Sequence, residues 1–467
     1  MFFESFLLNL TVLIVLVFAL IYDYVTKFFS YWYVRHIPYK TPCIPFFGSD
    51  YHRVLSVRSS TEDVNHLYSK YPNDKFVGRV KSRIPDLIVK DPDVVKRMLS
   101  ADFANFHSRG LCLDKSQDVC LRDNLYYADG EKWTLLREGY ESLLNNMDVE
   151  LESLSDCLQG TNGDANVQHA LSKVLDKIFK DLLIGNNVDG SVVKDVRSVI
   201  QKRTLMDRLK SYLKNVFPSL YISLGLMTLF GEPSSTTKDV LMKSKLMAQI
   251  KNLSNVYQLG IEEKKQKRSD INFAFSILSS FITEGYIPCL NILTAILFEL
   301  AWNPEIQDRA RNSVSKDNGE DYLDITIKEA LRLHPPYSII SRQCMKSYQY
   351  PEGKLMLDKR VTINVPVEAI HRDEEHYKNA KVFNPDRFLN DEGSSKHCYA
   401  YLPFGAGPRK CIGEQLALRI IRSVTRSLLQ QYEIKPSEKT PTCLTMVDHN
   451  FGRVVDRDIW LRFEPNV

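Results

Sequence analysis

The sequence has no internal repeat, no low-complexity tract, no CxxC pair and no marked excess of charge of either sign. Each lack closes off a class of function. With 61 basic against 57 acidic residues there is no electrostatic footprint of a nucleic-acid binder, so a nucleic-acid partner is not expected. The nine cysteines follow no regular spacing and their number is odd, which argues against a disulfide framework. Most of these thiols are expected to act as small buried hydrophobes in a reducing, cytosol-facing compartment. Basic residues are also missing ahead of the first apolar run, where Glu4 stands alone, and this is unlike the start of a cleaved signal peptide.

What is present begins with that run. From Phe6 to Tyr22 the chain carries no charge and only Asn9 and Thr11 as polar residues, at the short end of what spans a bilayer as a helix. Lys27, Arg35 and Lys40 follow, with Asp23 the only nearby acid, and the positive-inside rule then puts the body of the protein on the cytoplasmic side. Residues 1–28 therefore read as a single-pass membrane anchor, with Trp32 and its neighbouring tyrosines suited to the membrane interface. Residues 29–49 contain Pro38, Pro42 and Pro45 before Gly48, a density that favours extended backbone and reads as a semi-rigid linker. With 44% hydrophobic residues the remainder is ample for a large core, and residues 50–467 read as one domain.

Helical spacing dominates that domain, over Glu62–Lys70, Gly130–Leu144, Leu171–Leu183, Ile271–Ala301 and Cys411–Gln431. Strand-like pieces are short: Lys75–Val80, Pro85–Val89, Ser338–Cys344 and Arg360–Asn364. The expected class is mainly α (α+β), with small peripheral sheets. The apolar stretch 216–230, broken by Pro218 and Gly225, reads equally as core or as a membrane-touching rim.

The chemistry concentrates in PFGAGPRKCIGEQLALR, residues 403–419. Glycines at 405, 407 and 413 let the backbone turn tightly and approach something large and flat. Arg409 precedes Cys411 by two residues, and Cys411 is expected to open a helix, where the N-terminus and nearby cations lower a thiol pKa. A thiolate pushes electron density into haem iron and favours O–O cleavage. A lone cysteine would read as a buried structural thiol, but the pattern F-x-x-G-x-R-x-C-x-G is complete from Phe404 to Gly413.

On these residues the chain resembles the cytochrome P-450 superfamily of haem-thiolate monooxygenases. The resemblance implies haem b (iron protoporphyrin IX) as cofactor, Cys411 as iron ligand and catalytic centre, Phe404 packed beneath the haem, and Arg409 on a propionate. Gly413 completes the cofactor-binding loop. Other stretches match the family in order. Glu329 and Arg332 form its ExxR pair, and Arg387 in FNPDRF is the later arginine that joins it. Trp133 and Arg137 form its WxxxR element, with both residues at a propionate, and Arg342 is a further propionate partner. The wording of SADFANFHSRG (100–110), NLYYADGEKW (124–133) and YPNDKFVGRV (71–80) is similar to insect microsomal enzymes of the detoxifying type.

That likeness implies oxidation of lipophilic small molecules, xenobiotic or endogenous lipids and hormones, at the endoplasmic reticulum membrane with the catalytic domain cytoplasmic. NADPH-cytochrome reductase would supply electrons, with cytochrome b5 as a further donor. Arg419, Arg422 and Arg426 lie on one helical stripe that could receive an acidic donor, or could equally be a solvated face.

One region departs from the pattern. In the long helix expected near residues 271–302, EGYIPC (284–289) aligns with the family's acid–alcohol segment, keeping Gly285 but holding Ile287 at the acid and Pro288 at the alcohol. Neither side chain delivers a proton. Proline inside a helix also costs roughly 3 kcal/mol unless a bend is wanted. Glu284 and Thr283, a turn earlier, are the nearest substitutes. The chain also looks short before this helix and between Arg311 and Tyr322. The departure leaves two other readings open: a reductase-independent hydroperoxide isomerase or dehydratase, and a haem protein that binds ligands without turnover.

Overall fold

The computed structural model describes residues 6–55, 57–81, 83–110, 123–145, 147, 163–185, 193–194, 196, 235–250, 270–313, 321–389, 398–449 and 452–466. The apolar 216–230 stretch and the joining residues 314–320 lie outside these, as does most of the segment before the long helix. The chain divides into two compact units, the first built from Met1–Gly110, Met206–Leu220 and Ile339–Pro366, the second from Leu111–Leu205, Tyr221–Ser338 and Val367–Val467.

In the first unit, helix α1 (Phe6–Thr26) exposes nearly all of its side chains and is long and apolar enough to cross a membrane. Its last turn is tied to the unit at Tyr24, whose ring lies 3.4 Å beneath the Arg83 guanidinium and whose carbonyl accepts from Arg83 Nε. Trp32 departs from expectation. It is fully buried rather than interfacial, with Nε1 donating to the Arg79 carbonyl at 2.7 Å. Its indole lies flat on Gly78, where an added Cβ would come within 2.4 Å of the ring, so only glycine admits this packing.

Helix α2 (Ser60–Lys70) starts in a reciprocal capping box between Ser59 and Glu62. The sheet runs β1 (Phe76–Lys81), β2 (Ile84–Val89), β4 (Thr362–Val365) and β3 (Ile340–Gln343), with β1–β2 and β3–β4 antiparallel and β2–β4 parallel. The proline-rich strap lies along this sheet: Gly78 N donates to the Pro38 carbonyl at 2.7 Å and Lys40 N to the Gly78 carbonyl at 2.9 Å.

The second unit holds the main core. Helix α3 spans Gly130–Asn145 and α4 spans Val167–Leu183. The latter buries Leu171, Val174, Leu175, Ile178, Phe179 and Leu182, a stripe at helical spacing. Asn166 caps it by accepting from His169 N at 3.0 Å. Helix α5 (Asp270–Phe281) runs through a π-helical turn, Ile282–Tyr286, into α6 (Ile287–Trp302). The 32 residues Ile271–Trp302 of this rod are apolar enough to span a membrane but mostly buried, and they form the centre of the core. Helix α7 (Tyr322–Leu333) and α8 (Glu414–Gln431) pack beside α6. Two small antiparallel sheets complete the unit, one of 163–166, 460–465 and 432–436, the other of 446–449 and 452–455. The expected class, helix-rich with small sheets, is what the chain adopts.

Candidate active site

The glycine-rich loop before α8 folds back on itself. Gly405 and Gly407 both adopt positive φ, +73° and +71°, a region that side chains with a Cβ rarely enter. These turns let the Cys411 amide donate to the Phe404 carbonyl at 3.0 Å and the Lys410 amide to the Gly407 carbonyl at 2.9 Å. Phe404 packs on the core. Cys411 does not open the helix, as its position in the pattern suggests. Gly413 is the cap and α8 begins at Glu414, so the cysteine sits in the turn just ahead of the helix.

Its thiol also behaves differently from expectation. Part of the residue is open to solvent, yet its sulfur lies deep enough among protein atoms that burial dominates and pushes the thiol up to about 11. The Gly413 amide and Arg137 pull the other way, but the Glu414 and Glu284 carboxylates add to the rise. By itself, then, this site favours the neutral thiol. A thiolate here requires a positive partner, and a bound metal ion deprotonates a coordinating thiol.

Three of the residues expected at propionates gather in this same unit. The Trp133 ring lies 4.8 Å from the Arg409 guanidinium and 5.7 Å from that of Arg137, so one indole serves two cations. Arg409 is buried and donates to the Ala128 carbonyl at 2.6 Å and to Asp129 at 2.9 Å. Arg137 donates to the Lys410 carbonyl at 3.1 Å and pairs with Glu141 at 2.8 Å, tying α3 to the cysteine loop. Arg342 belongs to the first unit, where it is buried in β3 and its Nη1 donates to the Ser341 carbonyl at 2.9 Å.

A fully buried polar lattice supports the loop. Glu329 takes both Nε and Nη2 of Arg332 at 2.8 Å and Nε of Arg387 at 3.1 Å. The spare guanidinium hydrogens go to the carbonyls of His371, Lys378, Asn379 and Ala380, so these buried charges are both paired and hydrogen-bonded. His371 links this lattice to the cysteine loop. Its Nε2 accepts from the Leu402 amide at 2.8 Å, which places the ring proton on Nδ1, facing the Arg332 carbonyl at 3.0 Å. Tyr401 Oη donates to the Lys328 carbonyl at 3.0 Å and Tyr377 Oη to the Ala400 carbonyl at 3.1 Å. The backbone entering the loop is therefore pinned at 400, 401 and 402.

The family model for cytochrome P450 matches residues 38–457. The chain belongs to the cytochrome P450 family. Cytochrome P450 6B1 of Papilio polyxenes is 26% identical over 479 residues, covering 93% of this chain and 95% of the relative. The probable cytochrome P450 6a13 of Drosophila melanogaster is 26% identical over 500 residues, covering 98% and 99%. Cytochrome P450 9e2 of Blattella germanica is 25% identical over 518 residues, covering 97% and 96%. The insect likeness read from the sequence thus agrees with these relatives, and the protein is an oxidoreductase of the P450 monooxygenase type with a haem-thiolate cofactor.

The residues present fit that cofactor. A cysteine that is partly open to solvent stands at the end of a tightly turned loop, and guanidinium groups suited to carboxylates stand nearby around one indole. When bound, the haem supplies the oxygen-activating redox chemistry. With haem bound, the protein's part would be to hold the sulfur, meet the propionates and control protons on the opposite face.

On that opposite face the departure from the P450 pattern takes a definite form. Ile287 is buried in the core, and Pro288 stands in the first turn of α6, directly after the π turn. The Ile287 amide reaches back five residues to the Ile282 carbonyl, so the extra residue of the π turn absorbs the break that proline would otherwise force. Thr283 is spent on its own helix, donating to the Ser279 carbonyl at 2.9 Å. Glu284 instead accepts from the hydroxyl of Tyr337. The pattern had singled out Glu284 but not Tyr337. Tyr337 follows the Pro335–Pro336 pair at the end of the ExxR segment, and only the fold brings it to α5–α6.

The arginine stripe on α8 resolves in part. Arg422 and Arg426 pair with Asp321 at 3.3 and 3.0 Å, and Arg422 also with Asp324 at 3.2 Å, so these two are engaged within the unit.

Proposed function

We propose that this P450 is a membrane-anchored haem-thiolate monooxygenase that inserts one atom of O2 into a lipophilic small molecule and releases the other as water. Haem b is held by Cys411, with Phe404 beneath it, Gly413 in its loop, and Trp133, Arg137, Arg342 and Arg409 at its propionates. NADPH-cytochrome reductase supplies the electrons, with cytochrome b5 as a second donor. Helix α1 anchors the protein in the endoplasmic reticulum membrane, leaving the 50–467 catalytic domain in the cytoplasm. The observation that carries the reading is the closed loop from Phe404 to Cys411 beside the Arg409–Trp133–Arg137 stack.

The carbon monoxide difference spectrum of the reduced, purified protein tests it. The red-shifted band of thiolate-ligated haem is expected in the wild type and absent in Cys411→Ser. A wild-type spectrum typical of histidine-ligated or free haem, or no band, overturns the reading. Replacement of the acid and alcohol by Ile287 and Pro288 favours a second reading, a hydroperoxide isomerase or dehydratase that needs no reductase. Product formation from a fatty-acid hydroperoxide without NADPH, and none with NADPH and reductase, would establish it instead. A ligand-binding protein would show only substrate-induced spectral change.

A further inference from the structure

Monooxygenation consumes protons on the face opposite the sulfur, and the usual acid and alcohol are replaced there by side chains that hold none. The helix nevertheless carries one carboxylate at this level. Glu284 sits inside the π turn, three residues before the helix resumes as α6 and four before a proline that has no N–H to offer the Glu284 carbonyl. Turns of this kind occur often at functional positions, because they rotate one side chain out of the regular helical register.

Glu284 is held from a different element. The Tyr337 hydroxyl donates to its Oε2, and the Tyr337 ring is stacked on Tyr126 with centroids 5.9 Å apart and planes 24° apart. Gly452 fixes the other side of this turn. It has φ +91°, and an added Cβ would lie 2.6 Å from the Pro336 carbonyl oxygen and 3.3 Å from the Tyr337 ring. Burial and the neighbouring carboxylate hold Tyr337 well above the usual phenol range, so it stays a donor. The Glu284 charge is also felt at the Cys411 sulfur. Glu284 thus sits inside the helical rod, held by a phenol, within electrostatic reach of the sulfur that would ligate the iron.

We propose that Glu284, held in place by the Tyr337 hydroxyl, is the group that stores and delivers protons on this face, in place of the acid and alcohol absent at 287 and 288. The proposal rests on the monooxygenase reading. In the reaction a substrate C–H bond and the O–O bond break, and a C–OH group and water form. NADPH, through the reductase, gives two electrons, releases a proton to solvent and becomes NADP+; two protons are taken up at the site, so one is consumed net. Glu284 in its carboxylic acid form releases a proton, is left as the carboxylate that accepts from Tyr337 Oη, and is recharged from solvent. Tyr337 is a positioning residue and is not itself deprotonated.

The test uses the full-length protein with reductase, and the variants Glu284→Gln and Tyr337→Phe. Both should keep the red-shifted carbon monoxide band, which separates this question from haem assembly. In Glu284→Gln the infrared C–O stretch of the reduced carbon monoxide complex should shift, since the ionisable group proposed for that face has been removed. NADPH consumption should fall about tenfold or more, because positioned proton-transfer groups contribute about 10²–10⁴-fold. Its solvent deuterium isotope effect should rise. Tyr337→Phe should show the same changes, smaller in size, and Glu284→Asp should recover part of the rate. With the band intact, an unchanged C–O frequency or an unchanged NADPH rate in Glu284→Gln overturns the proposal. A wild type lacking the band, or consuming no NADPH with reductase, overturns the monooxygenase reading and this inference with it.

Discussion

The cysteine side of the second unit and the α5–α6 rod solve the same problem, burying polar groups in an apolar interior, in opposite ways. On the cysteine side the buried charges of the Glu329, Arg332 and Arg387 lattice are over-determined. Glu329 serves two arginines, each arginine reaches further carbonyls, and His371 and two tyrosines carry the lattice into the loop. In the rod, by contrast, polar groups are few and mostly turned back on their own helix. Thr283 bonds Ser279, Thr294 bonds Leu290, and the Asn291 amide bonds Ile287. A dense buried network has one low-energy arrangement and resists substitution, because removing one member strands the rest. A self-satisfied apolar helix tolerates exchange at single positions. This difference explains why the family's elements persist around Cys411 while its acid and alcohol could be exchanged for Ile287 and Pro288.

The comparison breaks most visibly at Glu329. Glu329→Gln leaves two buried guanidinium groups without their shared carboxylate, and stability should drop by about 3–5 kcal/mol, read by urea denaturation. A loss under about 1 kcal/mol would mean the lattice is not the rigid half of the molecule.

His371 gives an effect of intermediate size that depends on pH. Burial, with the Arg332 and Arg372 charges adding to it and only the hydrogen bond to the Arg332 carbonyl opposing it, lowers its pKa from 6.5 to about 3. The folded state therefore resists the proton that the unfolded chain accepts. The contribution is full above about pH 6.5 and is lost as pH falls from there toward about 3, at up to about 1.4 kcal/mol per pH unit. In His371→Gln, which keeps a donor and an acceptor without titrating, the difference from wild type should narrow across this window. Parallel pH–stability curves would remove His371 from the lattice's acid sensitivity.

The smallest effect belongs to the rod. Because the π turn already absorbs the break, Pro288→Ala should change stability by no more than about 1 kcal/mol, far below the roughly 3 kcal/mol expected of proline in a regular helix interior. Thermal unfolding of the variant checks this, and a gain near 3 kcal/mol would show that the proline strains the helix.

Much of this was legible beforehand because it is local. The helices at 62–70, 130–144, 171–183 and 271–301 announce themselves by apolar spacing, and the short strands by alternation between turns. The loop at Cys411 is spelled out by glycines whose spacing has little other use. Misreadings arose where a residue's role depends on what packs against it. Trp32 looked interfacial because it follows an apolar helix, but Gly78 offers it a flat buried seat. Cys411 looked activated by a helix terminus and cations, but the helix starts three residues later and desolvation outweighs the nearby charges. The stripe at Arg422 and Arg426 read equally as a donor surface or a solvated face, and the partner both share, Asp321 from α7's cap, is visible only in the fold.

The sequence by itself determined the family, the ligand cysteine as candidate and the place where the helix departs from pattern, because these rest on residue type and spacing along one stretch of chain. Tertiary structure alone decided what faces what. Tyr337 reaches Glu284 from 53 positions away, His371 joins Arg332 to Leu402, and Arg137 and Arg409 meet at the Trp133 ring. Hydrogen bonds and desolvation act over a few ångströms of space and take no account of separation along the chain.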